Sequence, residues 1–557
     1  MKSANAETWS RVGETALLAL VFLTPLAAHV RTYDPAALKL ALFESCALVL
    51  GAAWVMKGLA RGRWEAAAAS RSALFPMLAL AAWTLARFAA LPFKSAAIPD
   101  LAPALAAWLI YAIALLEFGG ARPASRLAFW TAAAASLLGA AGAARRFAVF
   151  PSLSAPLADP DQLAAFAAAA LPVVLSLRLD PESSAARRLL SASTAVVLAF
   201  LAAWSGSSRG LAAFVLSAFV FALAAAAVLR GPAARRGAIL ALACAALAAV
   251  VAAASGPLAL GVPPTGVFAG TGSVGTLLLA WTMLAASAAG LRAAWNLRRR
   301  GAPAEAGYAA SFSAAFGAWG LAGALGLTPS FGAGAWLSWA AAGMAAGMVP
   351  LARPRGAALA LPLPFGEDVR RLLQYPAFML FACALAWPGG WLASDVRYNR
   401  ALAEARSGSL DAALADAGRV WPGSAVYPSS LYLRGRALMD QGKPREALDA
   451  YARLDDAAPD FSRVHARRAE AYATISDWPS SARERRRQAD LTPLDLANLT
   501  AWAEAARAAG DIESARLAAA RAQALAPEET SVRTQLAAGK RHDHRGLALR
   551  TTKPKPR

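Results

Sequence analysis

The sequence predicts an all-α protein in two parts: a polytopic transmembrane helical domain over residues 1–393, then an α-helical solenoid over residues 394–538. Three observations carry this expectation. The 557 residues are 58% hydrophobic and only 16% charged, with a mean hydropathy of +0.42. Apolar runs long enough to cross a bilayer recur about thirteen times before residue 394. Beyond Ser394 the chain turns charged and alanine-rich, and small residues recur with a 34-residue period.

The first apolar run, near residues 13–30, has no small-residue cleavage site followed by polar sequence, so it reads as a retained span rather than a removed leader. The loops between the runs then separate by charge. One set holds Lys57, Arg61, Arg63 and Arg71, then Arg122 and Arg126, Arg178, Arg187 and Arg188, Arg230, Arg235 and Arg236, Arg292 and Arg298 to Arg300, and Arg353, Arg355, Arg370 and Arg371. The alternate set holds only Arg31, Lys94, Arg145, Arg146 and Arg209. Basic residues collect in cytoplasmic loops, so the first set and the amino terminus face the cytoplasm. The second set, and everything after the last span, face outward, which requires an odd number of spans.

Residues 189–230 form a tight hairpin between two spans, because the apolar runs meet at Trp204-Ser-Gly-Ser-Ser-Arg209-Gly210 with almost no loop. Gly206 and Gly210 allow a sharp turn that leaves amides beside the Arg209 guanidinium, where an anion can sit. The alternative is an arginine that reaches from a helix end to interfacial water. Glu44 is a carboxylate inside an apolar run, about one turn inward of Lys39. Intramembrane charges usually have a partner or a function, and Lys39 and Arg87 are its candidate partners.

In the second part, Gly408, Gly442, Ser476 and Gly510 share the 34-residue spacing, as do Ala413, Ala447, Ser481 and Ala515, and Ala401, Gly435, Ala469 and Ala503. Pro459, Pro493 and Pro527 form a fourth series. Small residues where two antiparallel helices cross, with a proline closing the second, resemble the tetratricopeptide pattern, and about four copies fit. Stacked copies offer a concave binding face for a protein partner, or serve as a spacer. Arg483, Arg485, Arg486 and Arg487 make one helix of the third copy basic. Residues 539–557, ending Lys553-Pro-Lys-Pro-Arg557, are a basic tail without apolar periodicity, expected to be disordered.

The net charge of +21 does not imply nucleic acid, because many arginines lie in short loops between apolar runs and no nucleic-acid motif accompanies them. Cys46, Cys244 and Cys383 all fall in apolar runs without metal-ligand spacing, so neither disulfides nor a zinc site is expected. No cofactor or metal is implied.

The order of these motifs resembles the O-antigen ligase and polymerase superfamily of bacterial envelope proteins, in the branch whose membrane domain is followed by tetratricopeptide repeats. Tyr33-Asp34-Pro35 with Lys39 is similar to that branch's first outer loop and second span. Asp159-Pro160-Asp161-Gln162-Leu163-Ala164 is similar to its Asn-Pro-Asn-x-x-Ala helix start. Ser207-Ser208-Arg209-Gly210 matches its Ser-Arg-Gly hairpin, and Ala269-Gly-Thr-Gly272-Ser-Val-Gly275 resembles its Glu-x-Gly-x-x-Gly span start.

The resemblance implies an inner-membrane protein with its repeats on the periplasmic side, acting on a polyprenyl-pyrophosphate-linked glycan and in contact with membrane lipid. An envelope protein would be the partner of the repeats. Arg209, Arg145, Arg146, Lys39 and Arg87 are then the candidate donor-binding residues, since a pyrophosphate leaving group needs cations. The family's catalytic histidine has no counterpart, because residues 255–273 contain no histidine, arginine, lysine or carboxylate. Asp159, Asp161 and His29 are the substitute base candidates. Three functions remain open: a glycan ligase or polymerase, a non-catalytic relative acting as a membrane-anchored scaffold, and a lipid-linked glycan transporter.

Overall fold

The computed structural model describes residues 2–27, 31–67, 71–90, 94–146, 159–229, 231–254, 268–325, 327, 332–352, 358–459, 461 and 463–526. These fall into two units. The first spans Met1–Asn399 with Trp421–Ala425, and the second Arg400–Val420 with Val426–Arg557. The division thus falls a few residues beyond the boundary expected at residue 393. The charged segment that begins at Ser394 continues the last long helix, and residues 421–425 belong with the first unit. There the Trp421 amide donates to Ser394 Oγ at 3.1 Å and its ring meets Trp387 edge-on at 4.6 Å.

The first unit is built from α1 (Lys2–Leu26), α2 (Ala37–Arg61), α3 (Arg71–Ala90), α4 (Lys94–Glu117), α5 (Ala121–Arg146), α6 (Pro160–Leu179), α7 (Ala185–Trp204) and α8 (Ser208–Ala224). After these come α9 (Pro232–Ala254), α10 (Phe268–Arg299), α11 (Pro303–Ala324), α12 (Ala333–Gly347), the short α13 (Val349–Ala352) and α14 (Glu367–Arg406). Among the described residues eleven helices are long and apolar enough to cross a membrane. α1 and α11 fall outside that set, yet α1 packs on α2 and α5, and α11 packs on α6, α8, α10 and α12.

Burial separates centre from periphery. The spanning parts of α6 and α12 are 83% buried, whereas those of α3 and α14 are 22% and 11% buried. Alanine and glycine make the centre possible, because helices in lipid gain from close backbone approach rather than from expelling water. A Cβ on Gly343 of α12 would lie 2.4 Å from the Tyr111 carbonyl of α4, and one on Gly334 would lie 2.7 Å from the Ala165 carbonyl of α6.

The two ends of the bundle differ in charge. At one end Arg126 pairs with Glu14 at 2.8 Å, Lys57 with Glu117, and Arg187 donates to Ser125 Oγ at 3.2 Å. Arg298 there donates at 2.8 Å to the Val228 carbonyl, in a π-helical turn (Ala225–Leu229) that continues α8. These residues come from the basic set of loops. A two-stranded antiparallel sheet not anticipated from sequence joins this region, pairing β1 (Arg63–Ala67) with β2 (Ala358–Pro362).

The second unit contains α15 (Leu410–Gly418), α16 (Tyr427–Asp440), α17 (Pro444–Ala457), α18 (Val464–Thr474), α19 (Trp478–Leu491), α20 (Leu496–Ala508) and α21 (Ile512–Leu525), each packed on the next. α15, α17, α19 and α21 begin at 34-residue intervals. The residue two before each of these starts follows the same spacing: Gly408, Gly442, Ser476 and Gly510 all adopt the left-handed conformation, with φ of 83°, 74°, 65° and 80°. That geometry explains the recurrence of glycine there. Ala413, Ala447, Ser481 and Ala515 are all buried. Residues 527–557, including Pro527 and the basic tail, lie outside the described residues.

Candidate functional site

The candidate site lies at the other end of the bundle, where α2, α6 and α8 begin. Three helix starts present their positive dipole ends there, an environment that favours anions. Asp159 caps α6 by accepting the Asp161 amide at 3.0 Å, and Pro160 occupies the first turn, where a missing N–H costs nothing. Asp159 is exposed and Asp161 half-buried.

The hairpin between α7 and α8 is built as its sequence requires. Gly206 takes a φ of 72°, and Ser205 Oγ accepts the Ser207 amide at 3.2 Å. Ser207 caps α8, its Oγ accepting the Gly210 amide at 2.8 Å. The same hydroxyl donates to Asp161 Oδ1, so the starts of α6 and α8 are tied directly. They also abut: a Cβ on Gly210 would come within 2.1 Å of the Ala164 methyl. Arg209, in the first turn of α8, is half-buried and has no ion-pair partner among the described residues.

Lys39 sits in the first turn of α2 and is only 6% exposed. The carboxylates acting on its ammonium are Asp159 and Asp34. Asp34 itself accepts the Ala36 amide at 2.8 Å, shaping the turn into α2. Hydrogen bonds therefore tie Asp159 to Asp161, Asp161 to Ser207, and Ser207 to the turn carrying Arg209, and Lys39 lies within the electrostatic reach of Asp159. Buried Glu44 has no charged partner among the described residues, so the pairing expected with Lys39 or Arg87 does not form.

The remaining candidates are placed differently. Arg145 and Arg146 end α5, whose Gly142 meets Leu201 of α7, so their backbone lies at the site's end of the bundle. Their side chains lie outside the described residues. Arg87 is exposed in the last turn of α3, a helix that packs chiefly on α4 and α10 rather than on α6 or α8. His29 and residues 255–267 lie outside the described residues. Among the described residues no group of three His, Cys, Asp or Glu side chains could hold a metal.

Two participants were not assigned a role from sequence. Ser207 was legible as part of the Ser-Ser-Arg-Gly hairpin but not as a link to Asp161. Asp395 of α14 accepts the Tyr33 and Asp34 amides at 2.6 and 3.2 Å, and only its polar setting just past the last apolar run could have drawn notice. The cluster brings two cations together with the carboxylates of Asp34, Asp159, Asp161 and Asp395, a hydroxyl and helix-start amides. It can bind an anion through Arg209 and Lys39 while offering a carboxylate to a proton donor. Compared with known proteins, the chain matches no family model and no curated protein.

Proposed function

We propose that this is an O-antigen ligase-like inner-membrane protein that handles a polyprenyl-pyrophosphate-linked glycan at the outer membrane face. The observation that carries the reading is the convergence of Lys39 and Arg209 with Asp159 and Asp161 where α2, α6 and α8 begin. A pyrophosphate at the membrane surface is a polyanion that such cations and helix starts would hold. Loss of the glycan's bond to it would place negative charge where Arg209 and Lys39 stabilise it.

In this reading Arg209 grips the pyrophosphate and Lys39 supports it. Asp161 is held by the Ser207 hydroxyl, which leaves the more exposed Asp159 as the carboxylate suited to take a proton from the acceptor hydroxyl. The eleven candidate spans are already the odd number that the loop charges require, and counting α1 and α11 as well keeps the total odd. The site and the helical repeats, read as tetratricopeptide repeats that engage an envelope protein, then share the periplasmic side.

A second reading, a non-catalytic scaffold anchored by the same fold, is favoured by the uncharged stretch at residues 255–273. Complementation of a deletion strain, scored by glycan attachment with membrane abundance measured in parallel, separates the two. Arg209→Ala and Arg209→Lys should both fail at normal abundance, since lysine keeps the charge but loses the planar fork. Full function of Arg209→Ala would remove the ligase-type reading. Loss of function only on deleting the repeats would support the scaffold.

A further inference from the structure

We propose that Asp395 is a positioning residue that sets the first turn of α2, and with it Lys39, at the candidate site; the role of Lys39 rests on the ligase-type reading. Asp395 is 5% exposed, and its carboxylate accepts from the backbone of the loop between α1 and α2. Oδ2 accepts the Tyr33 amide at 2.6 Å, and both oxygens accept the Asp34 amide at 3.2 Å. One helical turn further on, Tyr398 meets Tyr33 edge-on at 4.9 Å and Asn399 donates its side-chain amide to the Arg31 carbonyl at 3.1 Å. Residues 395, 398 and 399 share one helix face, so a single stripe of α14 grips residues 31–34.

The grip is local to one end of α14, where Ser394, Asp395 and Tyr398 are buried. The spanning part of α14 is the least buried of the candidate spans. A buried carboxylate is costly unless charge-assisted hydrogen bonds satisfy it, and here backbone amides of one short loop contribute them. That loop leads through the Asp34 turn straight into α2, and Lys39 lies in the first turn. The rest of α2 is fixed independently, by packing on α1 and α4 and by the Lys57–Glu117 pair at the far end. Release of the grip should therefore loosen the first turn of α2 without expelling the helix.

The test uses the full-length protein in membranes, with Cys46, Cys244 and Cys383 replaced by alanine and single cysteines introduced as Thr32→Cys, 9% exposed, or Lys39→Cys. Labelling by a membrane-impermeant maleimide reads the loop and the first turn separately. Adding Asp395→Ala should speed labelling at both positions at least tenfold at unchanged abundance. Asp395→Asn, which keeps an acceptor oxygen, should restore most of the protection. Faster labelling at position 32 alone would make Asp395 a loop anchor and overturn the proposal, as would unchanged labelling at both. Because this readout needs no transfer, it stands even if Arg209→Ala proves fully active and the ligase-type reading fails.

Discussion

Replacing Gly435 by alanine reads the packing register of the second unit directly. A Cβ at this position would lie 2.3, 2.6 and 2.7 Å from three atoms of the Tyr451 ring, all closer than carbon atoms pack. Tyr451 is fully buried on the facing helix, in a core with Leu431, Leu438 and Leu454, so its ring cannot swing aside freely. Overpacking of this kind costs about 1 to 3 kcal/mol. Against it stands the gain from removing a glycine inside a helix, about 0.5 to 1 kcal/mol. The net expectation is a loss of about 1 to 2 kcal/mol, or roughly 2 to 8 °C in the melting temperature of a unit this size. Gly418→Ala is the control, since a Cβ at that helical position would meet nothing within 4 Å, and it should be neutral or slightly stabilising. Protease sensitivity of the repeat unit, followed against temperature in the purified full-length protein, measures both. If Gly435→Ala melts with or above the parent, α16 and α17 do not cross where the structure puts them.

Two more outcomes follow from the same unit. Ser476 is the one non-glycine in the left-handed series, at φ 65°, so Ser476→Gly should raise stability by about 0.5 to 1 kcal/mol, read as a higher melting temperature. Glu484 is the other: burial alone would raise its pKa, but the hydrogen bond from His465 and the Arg468, His465 and Arg487 charges outweigh it and hold the carboxyl below its usual range. The native state therefore binds fewer protons than the unfolded chain. The stabilisation is present above the ordinary glutamate pKa of about 4.3 and is lost as pH falls through the lower native value. Melting of the repeat unit should thus fall in acid, and Glu484→Gln should flatten that dependence; an unchanged acid slope would contradict it.

What the sequence revealed follows from what each signal requires. The repeat register was legible because a left-handed turn selects glycine and a helix crossing selects alanine, so Gly408, Gly442, Gly510, Ala413 and Ala447 carry their structure in their identity. The spans were legible through apolar length, but their ends were not. α14 runs for 40 residues through the composition change at Ser394, since charged sequence continues a helix as readily as apolar sequence does. The strand pair was missed because residues 63–67 and 358–362 are short, and their partners lie far apart in the chain. At the site, Arg209 and Asp161 stood in recognisable local patterns. The links from Lys39 to Asp159 and from Asp395 to Tyr33 join distant segments, which no local spacing encodes. Arg87 illustrates the converse, an arginine whose place near a span end suggested the site, while its helix packs elsewhere.

The most direct test of an anion-binding outer site is equilibrium binding of a polyprenyl pyrophosphate to the purified full-length protein in lipid nanodiscs, comparing the parent with Arg209→Ala and Arg209→Lys. A charge-assisted hydrogen bond contributes about 1.5 to 3 kcal/mol, so Arg209→Ala should weaken binding by roughly 10- to 150-fold, with Arg209→Lys between it and the parent. Equal affinity of all three proteins for the lipid would contradict the account.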